Sequence, residues 1–123
     1  MESDDLCFLS ISEVGEMLKR KGLSPVELVN AHLNRIDSTD DRLNSFITLL
    51  RGEAVSAAQT AEKDISAGNY RGPLHGIPIG LKDLYYTNGI RTTVGSKILQ
   101  TSCPTSMRLW RRGLGMPGRS SWA

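Results

Sequence analysis

Much of what commonly identifies a protein is missing from this 123-residue chain. Cys7 and Cys103 are its only cysteines. They have no metal-ligand spacing and form no disulfide framework, which fits a reducing cytosol, so each is read as an inert free thiol. No apolar run approaches the roughly 20 residues of a membrane span. The acidic opening Met1-Glu2-Ser3-Asp4-Asp5 is the wrong start for a signal peptide. The net charge is only +2, with acidic and basic residues interspersed, so no nucleic-acid surface is expected. There is no N-x-S/T acceptor, repeat or low-complexity stretch. His32 has no second ligand at metal spacing and reads as structural or surface. A cytoplasmic chain without metal, cofactor, membrane or direct nucleic-acid partner is the expectation.

Helix signals come early. Ser10-Ile11-Ser12-Glu13 has the S-x-x-E form of a capping box, and Val14, Met17 and Leu18 follow at helical spacing up to Gly22. Ser24-Pro25-Val26-Glu27 repeats the signal with Pro at the first helical position, and Val29, Leu33 and Ile36 line one face. Asp37-Ser38-Thr39-Asp40-Asp41 reads as a polar turn, and Phe46-Ile47-Thr48-Leu49-Leu50 as a buried strand. A helix from about Glu53 to Ala67 has a small-residue face (Val55, Ala58, Ala61, Ile65) suited to packing on a sheet, and Gly68 ends it. Helices followed by strands give an α/β order.

The most unusual stretch is Gly72-Pro73-Leu74-His75-Gly76-Ile77-Pro78-Ile79-Gly80-Leu81-Lys82-Asp83. Two prolines fix φ and remove donors, while three glycines open conformations closed to other residues. Ile77, Ile79 and Leu81 alternate as in a strand, Gly80 leaves room for a close approach, and Lys82 and Asp83 stand at the strand's end. Composition alone reads Lys82 as a solvated charge. A phosphate loop does not fit. Gly76 and Gly80 are too close, Leu81 separates Gly80 from Lys82, and Asp83 would repel phosphate. Beyond it, Asn88-Gly89 marks a tight reversal with positive φ expected at both positions. Thr93 and Ser96 read as bonding to local turn backbone, with pocket lining as the alternative, and Tyr85 and Tyr86 as either pocket wall or core.

From Gly72 to Leu99 the run GPLHGIPIGLKDLYYTNGIRTTVGSKIL resembles the first signature block of the amidase signature family, with weaker similarity back to Ile11. Thr92, Thr93, Gly95 and Ser96 match the family's T-T-x-G-S. The resemblance implies the N-terminal part of that fold, helices followed by the first strands of a mixed sheet. It also implies a Ser–cis-Ser–Lys triad that cleaves or transfers amide nitrogen from a small amide substrate. Lys82 occupies the position of the triad lysine, and Asp83 is expected to orient its neighbours.

The character of the chain changes near Thr105. Residues 106–123 have no periodicity, hold both tryptophans and are rich in Gly, Arg and Pro. Permitted codons for Thr105 to Ala123, read one base earlier, allow E-H-A-T-V-E-A-G-L-R-D-A-G-A-V-I-L-G, an amphipathic helix and a buried strand of the kind that continues the family pattern. The expectation is therefore an amidase fragment over 1–105 and a frameshifted, non-native tail over 106–123. The family's serine blocks do not occur in the sequence. Three functions stand side by side: an amide hydrolase, inactive as this truncated chain; the A subunit of a tRNA-dependent glutamine amidotransferase; and a non-catalytic product. Uncovered apolar faces predict self-association.

Overall fold

The computed structural model describes residues 3–104, with side chains from Asp5 onward. The expected tail at 106–123 lies outside the described residues. Two compact units divide at Ile79 and Gly80. The first is helical: α1 (Ser3–Leu6), α2 (Ile11–Lys19), α3 (Pro25–Leu43) and α4 (Arg51–Ser66).

The starts of α2 and α3 and the ends of all three long helices have local causes, while α4 starts after Leu50 without a side-chain cap. At α2 the capping box forms as read. Ser10 Oγ accepts the Glu13 N–H, and the Glu13 carboxylate accepts the Ser10 N–H at 2.8 Å. At the other end Lys21, not Gly22, takes the left-handed conformation (φ 58°). The Gly22 and Lys21 N–H groups then close on the Met17 and Leu18 carbonyls. The Lys21 ammonium donates to the Ser66 carbonyl at 3.0 Å, neutralising the negative end of α4. Ser24 caps α3 by accepting the Val26 and Glu27 N–H groups, and its own hydroxyl donates to the Glu62 carboxylate of α4. Gly68 (φ 88°) ends α4, where the Gly68 and Asn69 N–H groups return to the Ile65 and Asp64 carbonyls.

The core follows from these faces. Leu6, Val14, Leu18, Leu23, Leu28, Ala31 and Ile65 form one buried cluster, and Val29, Leu33 and Ala58 a second. Leu18 and Leu28 are essentially sealed from water, each contributing about 1.5–3 kcal/mol by burial. Ile36 is half-buried. The His32 Nδ1 lies 2.9 Å from the Leu28 carbonyl oxygen one turn back, a structural role.

Three expectations change. The polar run at Asp37–Asp41 is the last part of α3 rather than a turn. Its Ser38 and Thr39 hydroxyls both donate to the Arg35 carbonyl, which keeps them on the helix. The helix ends instead at Asn44 in the left-handed conformation (φ 49°). The small-residue face of α4 packs on α3, not on a sheet. Among the described residues there is no strand. Phe46, Ile47 and Leu49, expected as a buried strand, are irregular and exposed, and Ile77, Ile79 and Leu81 form no ladder. A strand exists only through hydrogen bonds to a partner, and no partner stands among these residues. No described helix is long and apolar enough to cross a membrane.

Candidate active-site segment

The signature stretch begins in the first unit as two tight turns. The His75 N–H donates to the Gly72 carbonyl at 3.0 Å and the Ile77 N–H to the Leu74 carbonyl at 3.3 Å. Its docking depends on two glycines. Gly76 has φ 85°, and a Cβ there would stand 3.0 Å from Pro25 Cγ and 3.6 Å from Ala61 Cβ. The loop therefore lies directly on the start of α3 and the small face of α4. Gly15 of α2 admits the Pro73 carbonyl oxygen to 3.2 Å from where a Cβ would be.

Polar contacts complete the docking. The Tyr70 hydroxyl donates to the Gly15 carbonyl at 3.3 Å. Arg71 pairs with Asp64 at 2.6 Å, and the His75 Nε2 lies 3.8 Å from the same carboxylate. The His75 Nδ1 accepts the Arg71 N–H at 3.2 Å. A nitrogen that accepts is unprotonated, so the imidazole is held neutral. Burial and the nearby Arg71 guanidinium lower its pKa from 6.5, outweighing the opposite pull of Asp64. Sequence reasoning assigned no role to His75, Arg71 or Asp64. The visible signal was a lone His inside a Gly/Pro loop, one turn from an Arg.

The second unit, from Gly80, carries Lys82. Its side chain is exposed, and among the described residues no group accepts a hydrogen bond from its ammonium. The Lys82 carbonyl accepts the Leu84 N–H at 2.7 Å and the Tyr85 N–H at 3.1 Å. Asp83 is the hub of this unit. Its carboxylate accepts the Thr93 N–H at 2.9 Å, the Thr93 hydroxyl and the Gly95 N–H at 3.5 Å, while its carbonyl accepts the Val94 N–H at 2.9 Å. The Thr93 hydroxyl and N–H, then Gly95 N–H and Arg91, hold the Asp83 carboxyl below its ordinary pKa. Thr92, fully buried, donates to the Tyr85 carbonyl at 3.3 Å.

Asp83 thus orients neighbours, and Ser96 bonds locally, whereas the Thr93 hydroxyl accepts the nearby Gly95 N–H but donates to Asp83 ten residues back. Ser96 Oγ accepts the Ile98 N–H and opens a 3-10 turn over Lys97–Leu99. Tyr85 and Tyr86 are exposed, not core. At the Asn88-Gly89 reversal the Ile90 N–H reaches the Thr87 carbonyl at 3.1 Å. Positive φ falls on Gly89 alone, at 74°, not on both residues as expected. A Cβ added at Gly80 would meet no atom within 4 Å among the described residues, so the close approach expected there is not made. No group of three or more potential metal ligands occurs among the described residues. A cavity of about 240 Å³ in the first unit is lined by Lys21, Ser24, Glu27, Glu62 and neighbours, none of them in the signature stretch.

The amidase family model matches residues 27–107, which includes all of the loop, Lys82 and the Asp83 hub. The chain belongs to the amidase family. Amidase-family relatives include the glutamyl-tRNA(Gln) amidotransferase A subunit of Geobacter metallireducens, 47% identical over 100 residues, covering 81% of this chain and 20% of the relative. The same protein of Gluconobacter oxydans is 43% identical over 95 residues, covering 77% and 19%. That of Dehalococcoides mccartyi is 42% identical over 100 residues, covering 81% and 20%. The chain therefore spans about a fifth of the length of the curated relatives it matches. No solved structure matches it.

Proposed function

We propose that this chain carries the lysine-bearing segment of an amide-cleaving active site, with Lys82 as its proton carrier. The observation that carries the reading is the family match across 27–107, with Gly76-Ile77-Pro78-Ile79-Gly80-Leu81-Lys82-Asp83 inside it. In the complete enzyme a serine hydroxyl attacks the carbonyl of a small amide substrate. A serine hydroxyl is a weak nucleophile and needs a base. Lys82, neutral when its surroundings are dry, takes the proton through a second, cis-linked serine and returns it to the leaving amine. Lys82 is exposed among residues 3–104, so its cover must come from elsewhere. Relatives roughly four times as long have the residues to supply it. The same cover would give the apolar segments at 46–50 and 77–81 the strand partners of an α/β sheet.

An amide hydrolase is the first reading, resting on Gly80-Leu81-Lys82-Asp83-Leu84-Tyr85-Tyr86 and Ile90-Arg91-Thr92-Thr93. The second is a segment of an amidotransferase A subunit, favoured by the names of the relatives. The 123-residue chain alone is taken to be inactive, because its sequence contains neither serine block. Its tail is taken to be frameshifted. Resequencing the gene and transcript across the Thr105 codon checks this, and nucleotides that forbid the shifted reading refute it. Both cysteines are thiols rather than disulfides, which supports a cytosolic setting.

The function is tested by transplanting the matched 100-residue segment into the Geobacter metallireducens relative. Turnover of simple amides without partner subunits supports the hydrolase; glutamine-driven amidation of tRNA only with partner subunits supports the amidotransferase. In either case Lys82→Ala in the transplant is expected to lower kcat by roughly 10³-fold or more. Near-normal turnover refutes the role of Lys82.

A further inference from the structure

We propose that Asp83 is a positioning residue for Lys82, clamping the turn at 92–95 onto the backbone that carries the lysine. The inference rests on the reading of Lys82 given above. Four hydrogen bonds from one turn converge on this single residue. Thr93 donates to the carboxylate from its N–H at 2.9 Å and from its hydroxyl, Gly95 from its N–H at 3.5 Å, and Val94 donates to the Asp83 carbonyl at 2.9 Å. Three donors fall on the carboxylate, one on Oδ1 and two on Oδ2, so both of its oxygens are engaged in holding the turn.

The turn it holds is strained. Val94 is β-branched and has φ 52°, a conformation such a residue adopts only when its surroundings over-determine it. The bond from Val94 N–H to Asp83 and the flanking bonds of Thr93 and Gly95 supply that constraint. The clamp is doubled on the far side. The Thr92 hydroxyl donates to the carbonyl of Tyr85, whose own N–H turns back to the Lys82 carbonyl. Both ties fall just after Lys82, one at its own carbonyl and one at Asp83, and through them Asp83 sets the direction in which the lysine side chain leaves the backbone. The proton relay demands this, because a misplacement of about 1 Å costs on the order of 10²-fold in rate.

The test has two arms. In the full 123-residue chain, amide hydrogen exchange is measured for Thr93, Val94 and Gly95 with and without Asp83→Ala. Loss of protection by at least about tenfold at all three, with α2–α4 unchanged, is expected; unchanged protection overturns the clamp. In the transplanted enzyme, Asp83→Ala is expected to lower kcat by roughly 10²-fold with KM nearly unchanged, and Thr93→Val to lower it less. Unchanged kcat in Asp83→Ala, beside a dead Lys82→Ala, overturns the positioning role and leaves Lys82 intact. Full turnover in Lys82→Ala removes the lysine reading and with it the positioning role, and the exchange arm then decides only whether the clamp exists.

Discussion

Gly76→Ala should destabilise the first unit. Two terms set the cost. At φ 85° an alanine sits in the left-handed region, at about 1–2 kcal/mol. Its Cβ would also stand 3.0 Å from Pro25 Cγ and 3.2 Å from Pro25 Cβ. A proline ring at the first turn of α3 cannot swing aside as a long side chain does, and forced overpacking of this kind costs about 1–3 kcal/mol. The lost flexibility of the unfolded chain offsets about 0.4–1 kcal/mol. The net is a destabilisation of about 1–4.6 kcal/mol. With a urea m-value of about 1 kcal/mol/M for a unit this small, the midpoint should fall by roughly 1–4.6 M. The assay is urea unfolding of the full chain followed by the helical circular dichroism signal. Gly80→Ala is the control, since Gly80 has neither positive φ nor a neighbour within 4 Å among the described residues. If Gly76→Ala unfolds at the midpoint of the parent chain, the loop does not dock on Pro25 and the reasoning fails.

Ser24→Ala should cost about 1–2 kcal/mol in the same assay, because it removes the cap of α3 and leaves the Glu62 carboxylate without its donor. His75 is held neutral with a lowered pKa, so the unfolded chain takes up its proton first. Stability of the first unit should therefore be complete above the ordinary range near 6.5 and fall as pH drops through it. Urea midpoints from about pH 8 to 5 check this, and His75→Gln, which keeps an acceptor but does not titrate, should flatten the curve. Val94→Gly should relieve the strained φ and stabilise the second unit by about 0.5–1 kcal/mol, read as slower amide exchange at Thr93 and Gly95. Faster exchange would mean that the valine side chain contributes more than its backbone costs. The exposed Phe46, Ile47, Leu81, Leu84 and Tyr86 should make the chain associate, seen as a concentration-dependent sedimentation coefficient.

The helices were legible because their signals are local. Ser10, Ser24 and Gly68 act on groups within a few residues, so their roles survive in the structure. The end of α3 was misread for an equally local reason. Ser38 and Thr39 look like turn residues until their hydroxyls are seen to bond the Arg35 carbonyl. The strands were not recoverable in the same way. Alternation at Ile77, Ile79 and Leu81 describes how a strand would face its neighbours, but the neighbours must exist for it to form. Lys82 was found through a pattern of residues, and its exposure could not be read from that pattern. The Asp83 hub was half legible. Asp83 was expected to orient its surroundings, while its pairing with Thr93 ten residues on depends on a turn that only coordinates reveal.

The first core cluster runs from Leu6 to Ile65, so it cannot close until the last of these residues has been made. At about 5–20 residues per second a ribosome takes roughly 3–12 s to pass from Leu6 to Ile65. Until then α2 and α3 carry open apolar faces, within reach of chaperones and proteases. Emergence of α4 from the ribosome ends that interval and brings the Ser66 carbonyl within reach of the Lys21 ammonium. The birth of the protein therefore has a defined vulnerable period, and codons that slow translation between the α3 and α4 coding regions would lengthen it.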